Sequence, residues 1–205
     1  MSVPNAYTCL VQLQGLEVSR TLCLPTGANL HDLHHAIQGT FGWWNAHLHR
    51  FTEWSGNIPY FYEDLQASDA DPTRAMDEHH YPLGLLESRP NRPMIGFDLK
   101  PRRAELLYEY DYGDGWRCTV RLEAVQVPSS QFRTCLAAQG VAPCEDSGGP
   151  EGYREKVDLY RKHHAETREW FRMMNHQPLA RVTPQSVNRQ WRAYEAGLAG
   201  PREEA

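Results

Sequence analysis

Acidic residues recur at two glycine-rich places in the chain. Asp111 and Asp114 lie in the segment YEYDYGDGWRCTVRLE, and Glu145 and Asp146 stand directly before Ser-Gly-Gly-Pro. Carboxylates that converge can hold a divalent cation or carry out general acid–base chemistry. We therefore take these four acids as candidate binding residues, and a divalent cation as the cofactor that they would take.

A structural role competes with this interpretation. Asp111 can pair with Arg117 across a hairpin, and Asp114 suits a tight turn. For these two aspartates alone the structural interpretation is the favoured one. Glu145 and Asp146 have no evident duty beyond capping the helix that follows, so they strengthen the case for a site.

Histidine offers a second set of ligands. His34 and His35 lie in a helical pattern that runs directly into a strand pattern with His47 and His49. Two imidazoles with one carboxylate would suit zinc or iron. The spacing matches no recognised ligand signature, and a histidine packed beside the core is the ordinary alternative for each. The metal candidates from the imidazoles and the acids are His34, His47, Asp111 and Asp114.

Aromatic residues form a third candidate surface. Trp43 and Trp44 follow the end of the helical pattern, so at least one indole should be partly exposed. Together with Trp54 and residues 60–62 they would suit a groove for a peptide, a base or another subunit. A second hydrophobic cluster explains the same residues equally well. Trp43 and Trp44 are kept as candidate binding residues. Trp116, which lies in the acidic segment, is a third.

Two predicted hairpins must position these side chains. In the first, alternating apolar residues and a two-residue loop at Gln14-Gly15 pair Leu13 with Leu16. A helix that Asn29 caps comes next, followed by the strand patterns AHLHRFTEW and YFYEDL. The order of elements is therefore hairpin, helix, strand.

The acidic segment predicts the second hairpin, with Gly113–Gly115 as a three-residue loop. In that register Tyr112 lies opposite Trp116, and Asp111 lies within reach of Arg117. All the aromatic residues then share one face of the sheet. The glycines supply the positive φ angles that a tight loop requires.

The remaining stretches are predicted as loops and helices. Residues 68–80 are polar and acidic, so they predict a loop with solvated His79 and His80. A long irregular loop is predicted from residue 135 to the helix that begins near Tyr153. The helical patterns YREKVDLYRKHH and AETREWFRMM follow, and Thr183-Pro184 opens a last helix.

These elements indicate an α+β fold with an antiparallel or mixed sheet and C-terminal helices packed on it. We expect one domain over residues 1–205, with a core at about 5–165 and a helical extension at 166–205. The net charge of −5 makes specific nucleic-acid binding an unfavoured function. The absence of a long apolar run or signal-peptide pattern, and five scattered cysteines, favour a cytoplasmic protein that does not enter membranes.

Three segments, in this order, resemble the plasmid pRiA4b ORF-3-like family, whose members are also labelled passenger proteins of insertion elements. They are LHDLHHAIQGTFGWWNAHLHRF, YEYDYGDGWRCTVRLE and CLAAQGVAPCEDSGGPEGY, and the similarity runs from about Tyr7 to Tyr160. The resemblance implies an α+β fold and no established reaction. The resolvase-like name of some members finds no support, because the chain has no catalytic serine motif or basic DNA-binding helix.

The chain departs from the family pattern at three positions. Cys118 stands where the family has histidine, Ala138 stands where it has glycine, and Cys144 is displaced within the later loop. If the family's cysteine and histidine form a metal site, the resemblance implies that this chain has lost or remodelled it.

The sequence is thus interpreted as an accessory binding or interaction protein associated with plasmids or mobile elements. Its partner is a protein or a small-molecule ligand, and the oligomeric state is left open. The alternative function is a metal-dependent enzyme that uses the acids of the two glycine-rich segments, with no catalytic residue assigned.

Overall fold

One mixed sheet organises the chain. The computed structural model describes residues 3–55, 57–66, 72–88 and 104–197. Its strands are β1 (Ala6–Leu13), β2 (Val18–Pro25), β3 (His49–Ser55), β4 (Ile58–Glu63), β5 (Met76–Asp77), β6 (Ala104–Tyr110), β7 (Trp116–Val125) and β8 (Thr134–Gln139). The eight strands lie in the order β5-β4-β3-β6-β7-β1-β2-β8. Only the β4–β5 pair among them is parallel.

Helices complete the predicted α+β fold, which the structure confirms. Within the described residues they are α1 (Leu30–Phe41), α2 (Leu83–Ser88), α3 (Gly149–Arg161), α4 (Ala165–Met173) and α5 (Pro184–Glu195). No helix in this part of the chain has the length and apolar character that crossing a membrane requires.

The first helix begins as the sequence predicts. The side chain of Asn29 accepts a hydrogen bond from the backbone N–H of Asp32, and the Asp32 carboxylate accepts one from the Asn29 N–H. This reciprocal capping box satisfies two backbone donors at the helix start. Helix α1 lies against β6, where the Tyr108 hydroxyl contacts His34 and Gln38 at 2.9 Å each. Histidines of α1 are therefore held beside the sheet.

The first hairpin has a longer turn than predicted. Leu13 pairs with Val18 and not with Leu16, so four residues form the turn and the predicted register is wrong by two residues. Gly15 takes a φ of +80° within this turn and comes so close to Pro150 that a Cβ would lie 3.1 Å from it. The longer turn packs against the start of α3. The local sequence pattern gives no sign of this contact.

The second hairpin also differs from its predicted register. Trp116 pairs with Tyr110, and Arg117 pairs with Glu109, whose carboxylate lies 3.3 Å from the guanidinium. The predicted pairs of Tyr112 with Trp116 and of Asp111 with Arg117 are therefore wrong, and Tyr112 is 53% exposed. The reason is a five-residue turn that begins at Asp111, which accepts the Gly115 N–H at 2.6 Å.

The segment after residue 134 is more regular than predicted. Its first part is β8, which pairs with β2 at the edge of the sheet, so only residues 140–148 are irregular. The side chain of Asn188 in α5 bonds both backbone groups of Cys135, at 2.7 and 3.0 Å. Tertiary contacts with α5 thus stabilise a strand whose alanines have low strand propensity.

Residues 72–80 are also more ordered than a polar loop. They contain β5 and a short 3-10 turn at Glu78–His80, in which Glu78 is fully buried. His79 stacks on His31 with ring centroids 3.8 Å apart, so the predicted solvated role is wrong for His79, whereas His80 is exposed. The proline-rich sequence SRPNRP predicts a connection between elements, but it lies outside the described residues from residue 89 onward, as do residues 67–71.

Candidate metal centre

Three distant segments bring four polar side chains together at the tip of the β6–β7 hairpin. His47 lies just before β3, Asp111 opens the hairpin turn, and Glu145 and Asp146 belong to the loop before α3. The His47 Nε2 atom lies 3.6 Å from Asp111 Oδ2, 3.8 Å from Glu145 Oε2 and 3.6 Å from Asp146 Oδ1. We call His47, Asp111, Glu145 and Asp146 the hairpin-tip cluster.

Glu145 is the most constrained member of the hairpin-tip cluster. Its carboxylate is fully buried, and Oε1 accepts hydrogen bonds from the Trp44 backbone N–H at 2.6 Å and the Tyr110 hydroxyl at 2.8 Å. The second oxygen, Oε2, has no hydrogen-bond partner among the described residues. Burial raises the pKa of Glu145, and the two donors to Oε1 oppose that rise. A buried oxygen without a hydrogen-bond partner is costly, and this one faces His47 and Asp111.

The two aspartates of the hairpin-tip cluster have positive φ angles, which residues other than glycine rarely adopt. Asp111 has a φ of 52° and Asp146 a φ of 55°. The Asp111 Oδ1 atom accepts the N–H groups of Gly113 and Asp114 at 3.0 and 3.2 Å, which leaves Oδ2 to face His47. Aspartate tolerates the left-handed region better than most residues because its side chain can bond nearby backbone groups. The hairpin turn therefore orients the carboxylate.

Asp114 has a different place from the one predicted for it. Its Oδ2 atom accepts the Gly148 N–H at 2.9 Å, at the start of α3. Gly149, with a φ of +70°, passes so close that a Cβ would lie 2.4 Å from the Asp114 carbonyl oxygen. Among the described residues, the convergent group at the hairpin tip contains His47, Asp111 and Glu145 but not Asp114. Asp114 thus joins the hairpin to the loop.

The candidate tryptophans and His34 contribute to the packing around the centre. Trp43 and Trp116 are fully buried, and Trp43 Nε1 donates to the Pro143 carbonyl at 3.0 Å. Neither indole is open to a ligand from solvent. Trp44 is half-buried and reaches the site through its backbone N–H. His34 is buried between Tyr108 and Asn45, apart from the hairpin-tip cluster.

No thiol takes part in the convergent groups found among the described residues. Cys118, at the family's histidine position, is fully buried in β7, and burial raises the pKa of its thiol. Burial likewise raises the pKa of Cys144 to about 12. Both thiols therefore stay protonated at neutral pH and are poor metal ligands.

A cleft of about 560 Å³ adjoins the hairpin-tip cluster, with His47 in its wall. Its other lining residues come from α1, from β3 and the segment before it, from the end of β4 and from the hairpin turn. They are His31, His34, Asn45, Ala46, Leu48, His49, Arg50, Glu63, Asp64 and Tyr112. A ligand in this cleft would lie beside His47.

The profile described as "Plasmid pRiA4b ORF-3-like protein" matches residues 5–189, which is most of the chain. The chain belongs to the pRiA4b ORF-3-like family. One relative with a similar sequence is "Uncharacterized protein y4hQ" of Sinorhizobium fredii (strain NBRC 101917 / NGR234). It is 29% identical over 158 residues, which cover 75% of this chain and 73% of the relative.

A solved structure shares the fold of this pRiA4b ORF-3-like chain. It is titled "Crystal Structure of Protein of Unknown Function MM3350 from Methanosarcina mazei Go1" and has a TM-score of 0.71. The match covers 91% of this chain and 99% of the other, at 24% sequence identity. At that identity the likeness establishes the fold alone.

Sequence reasoning selected Asp111, Glu145 and Asp146 as candidates but did not single out Tyr110, whose hydroxyl joins two of the segments. The Tyr110 hydroxyl donates to Glu145 and accepts the Ala46 N–H at 3.2 Å, next to His47. In the sequence Tyr110 is one of several alternating aromatic residues and carries no separate signal. The Glu145-Asp146 pair before two glycines is the feature of the sequence that indicates a candidate site here.

Proposed function

We propose that the protein is a metal-dependent enzyme of the hydrolytic kind, with a divalent cation held by the hairpin-tip cluster. The observation that carries the proposal is the buried Glu145 Oε2 atom, which has no hydrogen-bond partner among the described residues and points at His47 and Asp111. One imidazole and several carboxylates suit Mn²⁺, Fe²⁺ or Zn²⁺.

Charge supports the same proposal. Three carboxylates surround one imidazole in the hairpin-tip cluster, so the cluster is net negative even when His47 is protonated. Like charges in a partly buried place repel each other more strongly than in water. A divalent cation would remove this repulsion and give Glu145 Oε2 the partner that it needs.

An ion held here would keep coordination positions open to solvent. The side chains of His47 and Asp146 are 33% and 65% exposed, whereas Glu145 is fully buried. An ion held by these residues would lower the pKa of a bound water, most strongly for Zn²⁺, and could polarise a carbonyl or phosphoryl oxygen. The cleft beside His47 supplies a place for the substrate.

Metal analysis tests the proposal directly. Full-length protein purified without a polyhistidine tag should carry a stoichiometric transition metal or take one up after treatment with a chelator. Glu145→Gln should lower that affinity at least tenfold, and Glu155→Gln, a matched change at an exposed glutamate of α3, should leave it unchanged. Equal metal contents in wild-type protein and Glu145→Gln would overturn the proposal.

An accessory interaction role, in the cytoplasm and in association with a mobile element, is the second candidate. It is favoured by Trp54 and Ile58, which are 51% and 61% exposed at the ends of adjacent strands. Large exposed apolar side chains are typical of protein contacts. A transposition or plasmid-maintenance assay should then respond to Trp54→Ala, whereas a response to Glu145→Gln alone would favour the metal-dependent function. A gel-shift assay at physiological salt should show no specific DNA complex.

A further inference from the structure

A second group of metal-ligating side chains adjoins the same cleft, whose wall includes two of its three members, His31 and Asp64. His31 comes from α1, Asp64 follows β4, and His79 lies in the 3-10 turn after β5. One ligand atom from each lies within 4.8 Å of the others, and all three side chains are between 23% and 30% exposed. We call His31, Asp64 and His79 the histidine cluster.

Buried neighbours hold His31 in the orientation that a metal ligand needs. Glu78 is fully buried, and its Oε1 atom lies 2.9 Å from His31 Nδ1, a contact that fixes the ring and would let a neutral His31 present Nε2 to a metal. A carboxylate bonded to the far nitrogen of a ligating histidine is the usual support of a metal site. His35, one helical turn away, places its Nε2 atom 2.9 Å from His31 Nε2. A further imidazole therefore adjoins the cluster.

The other two members are also held in place. The His79 backbone N–H donates to Asp77 at 3.0 Å, and the His79 ring lies 3.2 Å from Asp64 Oδ1. The same Asp64 oxygen accepts the Gln66 N–H at 2.9 Å. His79 is stacked on His31, so a shared ion requires its ring to turn out of the stack. The partial exposure of the His79 side chain leaves room for that rotation.

The contacts around His31 continue into the protein. The Tyr194 hydroxyl lies 2.6 Å from His35 Nδ1, and His49 Nε2 lies 2.8 Å from the Glu78 oxygen that does not contact His31. Both oxygens of the buried Glu78 carboxylate therefore contact imidazoles, and this network fixes the position of His31 beside the cleft.

We propose that His31, Asp64 and His79 form a second metal site, distinct from the hairpin-tip cluster, which takes a borderline transition ion such as Zn²⁺, Co²⁺ or Ni²⁺. Two imidazoles and one carboxylate favour such ions over Mg²⁺ and Ca²⁺, which prefer oxygen ligands alone. The hairpin-tip cluster has one imidazole and three carboxylates, so it should prefer harder cations than the histidine cluster does. The cleft would then be lined by two ions of different preference.

Titration calorimetry with Zn²⁺ tests the proposal on full-length, tag-free protein that a chelator has stripped. Wild-type protein should bind two equivalents. His79→Asn and Asp64→Asn should each remove one equivalent or weaken it at least tenfold. His80→Asn should keep both, because His80 is the 82% exposed neighbour of His79 and serves as the matched control.

The same experiment distinguishes Zn²⁺ binding at the hairpin-tip cluster from Zn²⁺ binding at the histidine cluster. Glu145→Gln should remove the other equivalent and leave the one that depends on His79, so failure of either site is seen by itself. Circular dichroism confirms the fold of each variant, and Asp64→Asn replaces His79→Asn if the latter does not fold. Unchanged Zn²⁺ binding in both His79→Asn and Asp64→Asn would overturn the second site, as would a single wild-type equivalent that Glu145→Gln abolishes.

Discussion

Two fully buried glutamates, Glu78 and Glu145, have opposite surroundings. Both oxygens of Glu78 face imidazole donors, from His31 and His49. Only one oxygen of Glu145 is bonded, and the other faces a histidine and two aspartates. Burial alone raises the pKa of both carboxyls, yet the hydrogen bonds to Glu78 outweigh burial and lower its pKa to about 2, whereas the pKa of Glu145 stays raised.

The difference separates a supporting carboxylate from a ligand. Glu78 is satisfied within the protein, so it can stabilise the fold and orient a neighbouring imidazole. Glu145 has one oxygen without a hydrogen-bond partner among the described residues, which is the ground for proposing it as a ligand. Burial does not distinguish the two roles, but the number of bonded oxygens does.

Removal of the metal should produce the largest effect. At a cation concentration of about one hundred times Kd, binding stabilises a folded protein by about 2.7 kcal/mol. We expect a chelator to lower the free energy of unfolding of wild-type protein by about that amount, measured by urea denaturation with and without Mn²⁺. Glu145→Gln should show less than half of this difference, and an undiminished difference would remove Glu145 from the site.

Glu78→Gln should produce the next largest loss of stability. An amide at this place presents N–H donors to imidazole donors and leaves a buried group unbonded, at a cost of about 1–3 kcal/mol. We expect this loss in metal-free protein, measured by urea denaturation. Glu145→Gln under the same conditions should be neutral or stabilising because it relieves repulsion. Equal losses in the two variants would contradict the contrast between the two glutamates.

A smaller effect is expected from Tyr110→Phe. The change removes the hydroxyl that joins the Ala46 N–H to Glu145, and one hydrogen bond contributes about 1 kcal/mol. The metal affinity should fall as well, because Glu145 and His47 lose their common support. Tyr112→Phe, at an exposed tyrosine of the same hairpin, is the control and should change neither quantity.

The pH dependence of stability should show two separate windows. The pKa of His176 is lowered by burial to about 4, so between about pH 6.5 and 4 the unfolded chain binds more protons and stability falls with falling pH. The lowered pKa of Glu78 gives stability that is present above about pH 4.5 and is lost as the pH falls toward 2.

Two variants separate these windows in chelator-treated protein. Denaturation curves from pH 7 to 2.5 should lose the lower slope in Glu78→Gln and the upper slope in His176→Asn. A lower slope that persists unchanged in Glu78→Gln would show that its carboxyl is not stabilised in the folded state.

Local chemistry made part of this protein predictable. The capping pair Asn29 and Asp32 lies within one helical turn, so the start of α1 follows from neighbouring residues. The core face of β6 and β7 was predicted for the same reason, since alternation places Tyr110 and Trp116 together in the core, although Tyr112, predicted on that face, is exposed. Of the four acids selected as candidates, Asp111, Glu145 and Asp146 lie around His47, whereas Asp114 bonds the start of α3.

Pairing registers and partners across the chain were decided by the tertiary structure. Side chains in a strand alternate with a period of two, so a shift of two residues keeps every apolar residue on the same face. Both hairpins were displaced by that amount, and only the turn contacts of Gly15 and Asp111 distinguish the two registers. Likewise His47 meets Glu145, and His31 meets Glu78, because the sheet and α1 bring distant segments together, which no spacing along the sequence records.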